Sequence, residues 1–473
     1  MNKLSTIYWF RQDLRLVDNP ALTHTLEMGD LILPLYIYET GASCPWGAAS
    51  RWWLHHSLKS LKNDLGNLCL KRGDPVQILT DLVENTGAIH VVWAKRYDSF
   101  GQNTDAKVKA HLTTLGVTCH EMPSGLLHEP GEILNQSEKP FQVFTPYWRA
   151  CKSHLKLQTP LARPYNLPLS LPPSDHLEDW KLLPSKPDWA ESFHHMWKPG
   201  EIGAQERLNQ FIDHGLRGYG TRRNIPSDKG TSGLSPHLHW GEISPRYIFH
   251  AIQNACLHNP DLSADAEVFL SELGWREFSY DCLAGFPELK DKSLRSAFEQ
   301  FPWQENPTHL EAWQRGQTGY PIVDAGMRQL WKMGWMHNRV RMIVASFLTK
   351  HLLIPWQKGE QWFWDTLVDA DEASNAMGWQ WVAGCGVDAA PYFRIFNPVL
   401  QGEKFDPHGH YVRRWIPELK ELPDAFIHQP WKAPPVILGA SGVTLGKNYP
   451  HPIVDHSTCR DRALQAYKQM NDS

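Results

Sequence analysis

The C-terminal half of the chain carries polar and aromatic side chains at helical spacing, where a plain hydrophobic core would place Leu and Val. Asn338 and Met342 are four residues apart and share one helix face, and Arg341 lies one turn from Asn338. Trp379 and Trp381 are two residues apart, so on a helix one indole can face inward and the other a neighbouring cavity. Buried Asn, Arg and Asp cost free energy unless they find partners. The pattern therefore indicates a region built around a polar, aromatic ligand.

Three acidic residues in the same half could bind a ligand or share a proton. Asp369 and Asp371 form a DxD pair, but no third or fourth oxygen ligand follows nearby, which disfavours a metal site. An ion pair with a neighbouring arginine and a solvated helix start are the other interpretations. Glu272 lies three residues before Trp275, so the two share a helix face. Judged from the residues alone, Glu272 could instead be a helix-capping carboxylate, and Trp275 an indole that packs in the core.

A polar, glycine-rich loop precedes a predicted helix in the middle of the chain. It comprises GYGTRRN (218–224) and KGTSGLSPHLHWGEISP (229–245). The hydroxyls of Thr231, Ser232 and Ser235 and the nearby backbone N–H groups could hold a phosphate. A simple N-cap with its loop explains the same residues as well.

The elements that must position these groups begin with an α/β pattern. Residues 6–122 alternate apolar runs with amphipathic stretches such as Ala48–Leu65 and Thr104–Leu115. This alternation predicts a parallel sheet covered by helices on both faces. The first strand is followed by RQDLR and not by a glycine-rich turn, so a dinucleotide-binding domain is not expected. The predicted strands are IYWF (7–10), LILPLYIY (31–38), VQIL (76–79), HVVWAK (90–95) and VTCHEM (117–122).

The rest of the chain is predicted to be a linker followed by helices. The stretch 123–200 is Pro-rich and weakly periodic, whereas apolar residues recur at helical spacing from about residue 201. Ser244-Pro245 and Pro321 are typical helix starts. The fold class predicted is an α/β N-terminal domain with a parallel, Rossmann-like sheet, followed by an all-α domain. The domain bounds predicted are 1–125 for the α/β domain, 126–200 for the linker and 201–473 for the helical domain.

Composition limits the compartment and the mode of any nucleic-acid binding. The net charge is −4, so DNA binding would need a local basic patch. The sequence contains no run of about eighteen apolar residues, so no membrane span is expected. The N-terminus does not resemble a signal peptide. Eight cysteines without a CxxC pair fit a reducing cytosol, so a cytoplasmic protein is expected. Most of the 22 Trp residues are expected to fill the core.

Several motifs together resemble the DNA photolyase/cryptochrome family, from about residue 6 to about residue 456. They are YWFRQDLRLVDNPAL (8–22), SELGWREF (271–278), WMHNRVRM (335–342), the DxD pair, WQW (379–381) and DAAPYFRIFNP (388–398). The resemblance implies that the helical domain binds FAD and that the loop at 218–235 holds its phosphates. It also implies an ion pair between Asp369 and Arg341 beside the flavin, and Asn375 facing flavin N5.

The resemblance assigns roles residue by residue. The implied catalytic residues are Glu272, Trp275, Asn338, Met342, Asn375 and Trp381. The implied electron-transfer residues are Trp303, Trp356 and Trp379, for which core packing would otherwise be expected. The implied cofactor-binding residues are Tyr219, Thr231, Ser232, Gly233, Leu234, Ser235, Asn338, Arg341, Asp369, Ala370, Asp371 and Asn375. The implied DNA contacts are Arg223, Glu272, Trp275, Asn338, Arg339, Met342 and Gln401, and no metal is implied.

The expected activity is light-driven repair of cyclobutane pyrimidine dimers in UV-damaged DNA, by electron transfer from excited reduced FAD to a flipped-out dimer. The partner is therefore damaged DNA, and the protein is expected to be a monomer without an obligate protein partner. A cryptochrome-like photoreceptor and a (6-4) photoproduct enzyme are the related alternatives. A flavin-free nucleic-acid-binding protein is the unrelated one. An amide at Asn375 favours repair, because the photoreceptor branches carry an acid or a thiol there.

The segment PWGAASRWWLHHSL (45–58) resembles the class III branch of the dimer photolyases, which uses a methenyl folate antenna. The expected antenna is therefore 5,10-methenyltetrahydrofolate. Trp46, Trp52 or Trp93 could stack on its pterin ring, with helix and strand packing as the alternative. The enteric-type class I enzymes carry a Cys-Lys pair in their folate pocket, where this chain has Lys290 and Asp291.

Overall fold

The computed structural model describes residues 5–29, 31–40, 46–123, 125–155, 158–170, 172–389 and 394–472. The chain divides into two compact units. Unit 1 comprises Met1–Phe141, Thr145–Arg217 and Ser232–Gly285, and unit 2 comprises Gln142–Phe144, Gly218–Thr231 and Phe286–Ser473. Residues 390–393 of the DAAPYFRIFNP motif and Pro45 of the proposed antenna segment lie outside the described residues.

Unit 1 contains a five-stranded parallel sheet in the order β3-β2-β1-β4-β5. Ile7 in the central strand pairs with Leu33 on one side and with Val91 on the other. Both faces of the inner strands are buried, as the consecutive residues Ile7, Tyr8, Trp9 and Phe10 show, which explains the near-continuous apolar runs of these strands. The strands are β1 (Ser5–Phe10), β2 (Leu31–Glu39), β3 (Cys69–Gly73), β4 (His90–Ala94) and β5 (Thr118–Met122).

Helices make up most of the remaining structure, so the predicted fold class is confirmed. In chain order they are α1 (Pro20–Glu27), α2 (Ala48–Leu65), α3 (Pro75–Thr86), α4 (Ser99–Thr114), α5 (Phe144–His154), α6 (Glu201–Gln210), α7 (Tyr219–Arg222), α8 (Ser235–His239), α9 (Pro245–His258), α10 (Ser263–Gly285), α11 (Pro307–Gln314), α12 (Pro321–Met333), α13 (Asn338–Ser346), α14 (Trp356–Thr366), α15 (Glu372–Ala383), α16 (Pro398–Phe405), α17 (His410–Trp415), α18 (Pro435–Ala440) and α19 (His456–Asp472).

One predicted strand is wrong. VQIL (76–79) lies inside α3, and the third strand is the more polar segment CLKRG of β3. This segment forms a helix and not a strand because Asp74 caps it by accepting a hydrogen bond from the Gln77 N–H, and because Pro75 occupies its first turn. Local capping therefore outweighs the β-propensity of a short apolar run.

The predicted helix starts at Ser244-Pro245 and Pro321 are confirmed. Ser244 accepts a hydrogen bond from the Tyr247 N–H, as an N-cap should. A helix that the sequence did not indicate, α5, lies within the Pro-rich stretch.

The core of unit 2 is formed by α12, α13, α14, α15 and α17, together with the chain around them. Trp313 and Trp335 are buried there and Trp362 and Trp364 pack against the same core, so their expected packing role is confirmed. This core is closely packed around α13 and α15, the two helices that carry seven of the predicted site residues.

Candidate functional site

An ion pair joins α13 to the turn before α15 in unit 2. Arg341 Nη2 donates to Asp369 Oδ1 at 3.1 Å and to Oδ2 at 2.9 Å. Arg341 Nε donates to the Met336 carbonyl at 2.8 Å. The Asp369 side chain is only 3% exposed, so its charge depends on this partner. The predicted pairing is confirmed, and Ala370 beside it is buried.

The other aspartate of the DxD pair starts α15. Asp371 is buried and accepts a hydrogen bond from the Ser374 N–H at 2.8 Å, as an N-cap. One turn later, Asn375 Nδ2 donates to Glu360 Oε1 at 2.8 Å and to the Glu360 carbonyl at 3.2 Å. The amide nitrogen is therefore committed to Glu360, and Oδ1 is the atom that Asn375 can offer to a ligand.

Glu360, on α14, was not predicted from the sequence. A single carboxylate in an aromatic helix is usually solvent-exposed, so no pattern singled it out. Burial raises the pKa of Glu360 to about 7, while the hydrogen bond from Asn375 acts in the opposite direction. Glu360 is thus the group that orients the Asn375 amide and that can gain or lose a proton near neutral pH.

Glu360→Gln is expected to flatten the pH dependence of stability. The folded-state pKa of about 7 lies above the ordinary value of 4.5, so the folded state favours the protonated carboxyl. The parent should therefore lose stability relative to the variant as pH rises from about 4.5 through 7, by roughly 1–3 kcal/mol. Urea unfolding at pH 5 and pH 8.5 measures this difference, with Glu421→Gln on the exposed surface as control. Parallel curves for parent and Glu360→Gln would contradict it.

The three tryptophans of the implied electron-transfer set differ in exposure. Trp379 and Trp356 are buried, and Trp303 is partly exposed. Trp379 packs edge-on against Phe363 at 5.0 Å between ring centroids. A Cβ on Gly359 would lie 2.1 Å from the Trp379 ring, so glycine is required at that point of α14. Two buried indoles together with the partly exposed Trp303 suit a path from the interior to the surface.

The other two tryptophans of the set, Trp356 and Trp303, each donate a hydrogen bond from the indole N–H. Trp356 Nε1 donates to Ser293 Oγ at 3.2 Å, and Trp303 Nε1 donates to the Phe298 carbonyl at 3.3 Å. Trp381 follows Trp379 on α15 and is partly exposed, so the expected difference between the two is confirmed.

Arg339 is held at the start of α13 by three neighbours. Its Nη2 donates to Asn224 Oδ1 at 2.7 Å, its Nη1 lies 3.6 Å from Met342 Sδ, and its guanidinium lies over the Phe405 ring at 4.6 Å. Asn224 and Phe405 were not predicted from the sequence. Both are neutral groups, so neither of them offsets the charge of the guanidinium.

A neutral histidine lies among the arginines of this region. His337 caps α13, and its Nδ1 accepts from the Arg339 N–H at 3.2 Å. Burial lowers the pKa of His337 to about 4, with further lowering by the charges of Arg339, Arg341 and Arg223. Arg223 lies over the Tyr219 ring at 5.5 Å. Asn338 is exposed beside them, and Gln401 lies partly exposed on α16. The local charge is therefore positive and suits phosphate.

In unit 1, Glu272 and Trp275 lie one turn apart on α10, and both are partly exposed. The segment 125–148 holds this helix in place. Arg276 Nη1 donates to the Gly125 carbonyl at 2.6 Å, and Glu277 accepts from the Leu127 N–H at 2.7 Å. A Cβ on Gly274 would meet the Trp148 ring at 2.6 Å. These contacts fix the rotation of α10 and hence the face that Glu272 and Trp275 present.

The predicted phosphate-binding loop continues in unit 1 from Ser232 to Ser235. Gly233 adopts a left-handed φ of 64°, and Ser232 Oγ accepts from the Leu234 N–H at 3.3 Å. No side chain caps α8, whose N-cap position is Leu234. The side-chain N-cap that was the alternative explanation of this loop is therefore not formed at α8.

Comparison with known proteins decides the family. The model for DNA photolyase matches residues 6–165, and the model for the FAD binding domain of DNA photolyase matches residues 269–469. The deoxyribodipyrimidine photo-lyase of Agrobacterium fabrum is 52% identical over 98% of this chain and 97% of that protein. Cryptochrome-2 of Arabidopsis thaliana is 38% identical over 99% of this chain and 79% of that protein. The crystal structure of a class III photolyase from Agrobacterium tumefaciens matches with a TM-score of 0.97 and 51% identity, covering 100% of this chain and 99% of that one.

The chain belongs to the DNA photolyase family.

The FAD-binding domain of this family includes most of the residues described above. The matched range 269–469 contains most of α10 and all of α13 and α15, so the predicted family and the predicted FAD cofactor are confirmed. The loop at 231–235 lies between the two matched ranges. Neither family match therefore covers this loop.

A cavity opens in unit 1 at the carboxyl ends of the strands. In open parallel sheets this edge is where ligands bind. Trp46 lines the cavity, whereas Trp52 packs against Phe193 and Trp93 is fully buried against Trp9. Of the three tryptophans considered for antenna stacking, only Trp46 is therefore in contact with this cavity. The other lining residues are Phe10, Arg11, Gln12, Tyr36, Ile37, Glu39, Arg96 and Phe100.

Several further residues of unit 2 have structural roles. GCGVDA (384–389) follows a helix, and Gly384 is the C-cap of α15 with φ 93°, so it is no dinucleotide-binding turn. Cys385 is buried and packs. His408 pairs with Asp424 at 3.1 Å on the surface.

Among the described residues, no group of three or more His, Cys, Asp or Glu side chains is arranged to hold a metal ion. In the same part of the chain, no helix has the length and apolarity that crossing a membrane requires.

Proposed function

We propose that this chain is a light-driven enzyme that splits cyclobutane pyrimidine dimers in DNA, with FAD as its cofactor. The observation that carries this proposal is the 52% identity, over nearly both full lengths, to a protein named deoxyribodipyrimidine photo-lyase. The domain bounds proposed are 1–125 for the antenna domain, 126–200 for the linker and 201–473 for the FAD- and DNA-binding domain.

The residues of unit 2 fit a flavin. The Arg341–Asp369 pair offers a fixed polar edge, and Asn375 offers Oδ1 because its nitrogen is committed to Glu360. An acceptor oxygen is the atom needed to receive a hydrogen bond from a flavin N–H. Tyr219, Asn338 and Asp371 complete the proposed set in this unit. Thr231, Ser232, Gly233, Leu234 and Ser235 are proposed to hold the phosphates.

When bound and reduced, FAD supplies the electron that the dimer receives after blue light is absorbed. The protein's own part is to bind and orient the dimer. Trp275 gives a flat face on which an unstacked base can stack. Glu272 shares its carboxyl proton with a dimer carbonyl as negative charge develops on that oxygen. Met342 and Trp381 form apolar walls that exclude water from the splitting ring.

Two related activities are distinguishable by specific residues. A photoreceptor function is supported by the 38% identity to Cryptochrome-2 of Arabidopsis thaliana. The amide at Asn375, fixed by Glu360, favours repair over it. A (6-4) photoproduct enzyme would use a histidine as a proton donor. Here His337 caps α13 and has a pKa lowered to about 4, so near neutral pH its ring is neutral and has no additional proton to donate.

The direct test is repair of a defined substrate. An oligonucleotide with one thymine dimer is incubated with fully reduced, flavin-replete protein and exposed to blue light. The restored thymines are then measured by chromatography, with a dark control. Glu272→Gln should slow repair, while Glu267→Gln, on the exposed side of α10, should not. Absence of repair by the reduced parent protein would contradict the enzyme and favour the photoreceptor.

Lesion binding should weaken with salt, because Arg223 and Arg339 are proposed to meet phosphates. Arg223→Ala is expected to reduce the salt slope of binding by about one phosphate contact. Fluorescence anisotropy at several salt concentrations measures the slope. Arg315→Ala removes an exposed arginine that pairs with Glu311 and should leave it unchanged. An unchanged slope for Arg223→Ala would remove Arg223 from the DNA site.

We further propose that 5,10-methenyltetrahydrofolate is the antenna and that it occupies the cavity lined by Trp46. Two buried arginines, Arg11 and Arg96, lie at its wall and are held by Glu39. The indole of Trp46 can stack on a pterin ring, which supports this assignment. Release of the chromophores by acid, followed by mass spectrometry, identifies the antenna. A flavin or a deazaflavin in the extract, with no folate, would contradict this assignment.

A further inference from the structure

Arg207, on α6, lies directly behind the Gly233 turn of unit 1. A Cβ on Gly233 would be 3.3 Å from Arg207 Nη1, 3.5 Å from Cδ and 3.6 Å from Cζ. The glycine therefore lets the loop backbone approach the guanidinium, at a φ that other residues seldom adopt. No sequence pattern singles out Arg207, because an arginine on an amphipathic helix is ordinarily solvent-exposed.

The charge of Arg207 has little compensation within the protein. Its Nη2 donates to the Met196 carbonyl at 2.5 Å, and its guanidinium lies over the Trp197 ring at 5.1 Å. No carboxylate of the described residues lies within ion-pair distance of it. Burial alone lowers the pKa of Arg207. A guanidinium carries five N–H donors, so most of its hydrogen-bonding capacity remains available.

Other buried arginines of unit 1 show what compensation normally looks like. Arg11 pairs with Glu39 and Asp105, and Arg246 pairs with Asp18. Arg15 takes no part in these ion pairs and instead makes three hydrogen bonds to backbone carbonyls. Arg207 has neither arrangement. Burying a cation without a counterion costs free energy. The position of Arg207 therefore indicates that an anion binds beside it.

We propose that Arg207 is a binding residue for the diphosphate of FAD, contacting it beside the Gly233 turn. This rests on the proposed function, since it assigns a residue to the same cofactor. The planar fork of arginine matches phosphate oxygens in a bidentate way. Ser232 and the backbone at Gly233 supply neutral donors, and Arg207 supplies the charge that the loop itself lacks.

The test compares flavin retention with the stability of the flavin-free chain. Arg207→Met should release FAD at least about tenfold faster than the parent, because a charge-assisted contact to phosphate is lost. The melting temperature of the flavin-free variant should be equal to or higher than that of the flavin-free parent. A residue that only supports the fold would lower that melting temperature instead. Arg217→Met, which removes an exposed arginine, is the matched control.

Two further arms make the result decisive. Inorganic pyrophosphate should stabilise the flavin-free parent but not Arg207→Met. Stabilisation by pyrophosphate with unchanged FAD release would assign Arg207 to a free anion and overturn the proposal. Should Arg207→Met fail to fold, Arg207→Lys decides, because it keeps the charge and loses the fork. Parent-like FAD release by that variant would overturn the proposal. A parent that retains no FAD would instead contradict the proposed function.

Discussion

Trp379→Phe is expected to abolish light-driven reduction of the oxidised flavin and to leave repair by chemically reduced protein nearly intact. Phenylalanine is far harder to oxidise than indole, so an electron can no longer reach the flavin through this position. The substitution loses no hydrogen bond, because Trp379 Nε1 has no acceptor in the described part of the chain. The smaller ring leaves a cavity, which costs about 1–3 kcal/mol and should not unfold the domain.

Absorption spectra recorded under blue light with an external reductant measure the photoreduction rate. Trp313→Phe is the matched control, because Trp313 is also buried and packs against Trp379 at 6.1 Å between ring centroids. That variant loses its hydrogen bond to the Val344 carbonyl but should photoreduce normally. Gly359→Ala should slow photoreduction, since its Cβ displaces the Trp379 ring. Photoreduction of Trp379→Phe at the parent rate would return Trp303 and Trp356 to the role of core residues.

The residues that could be predicted from the sequence belong to segments whose spacing is explicit. Asn338, Arg341 and Met342 fall on one helix, and the pairing of Arg341 with Asp369 follows from the cost of burying either charge alone. Helix starts marked by Ser-Pro or Pro were predicted for the same reason, since capping is local. The parallel sheet followed from its apolar runs, except for β3, whose residues are too polar to stand out.

The residues that could not be predicted act across elements that are distant in sequence. Glu360 meets Asn375 through the packing of α14 against α15, and Asn224 meets Arg339 over 115 positions of the chain. Arg207 and Gly233 are brought together only by the fold. Helical and strand periodicity relate residues within one element. They therefore give no information on which residues of two different elements come into contact.

The two aspartates of the DxD pair are expected to differ sharply when each is replaced by alanine. Asp369→Ala removes the carboxylate that receives two hydrogen bonds from Arg341 and leaves that cation with the Met336 carbonyl. Breaking a buried pair costs about 3–5 kcal/mol, and the lower end applies because the Arg341 side chain is 23% exposed. Asp371→Ala removes the N-cap of α15 and should cost about 1 kcal/mol.

Urea unfolding of both variants, with flavin content measured in parallel, tests this difference. The double variant Arg341→Met, Asp369→Ala should recover part of the stability lost in Asp369→Ala, because no unpaired charge remains. It should not recover flavin, since the polar edge proposed to hold the cofactor is gone. Equal costs for Asp369→Ala and Asp371→Ala would show that the ion pair is weaker than its burial implies. In that case the DxD pair would act mainly as a helix start, and the flavin would depend on Asn375 and the phosphate loop.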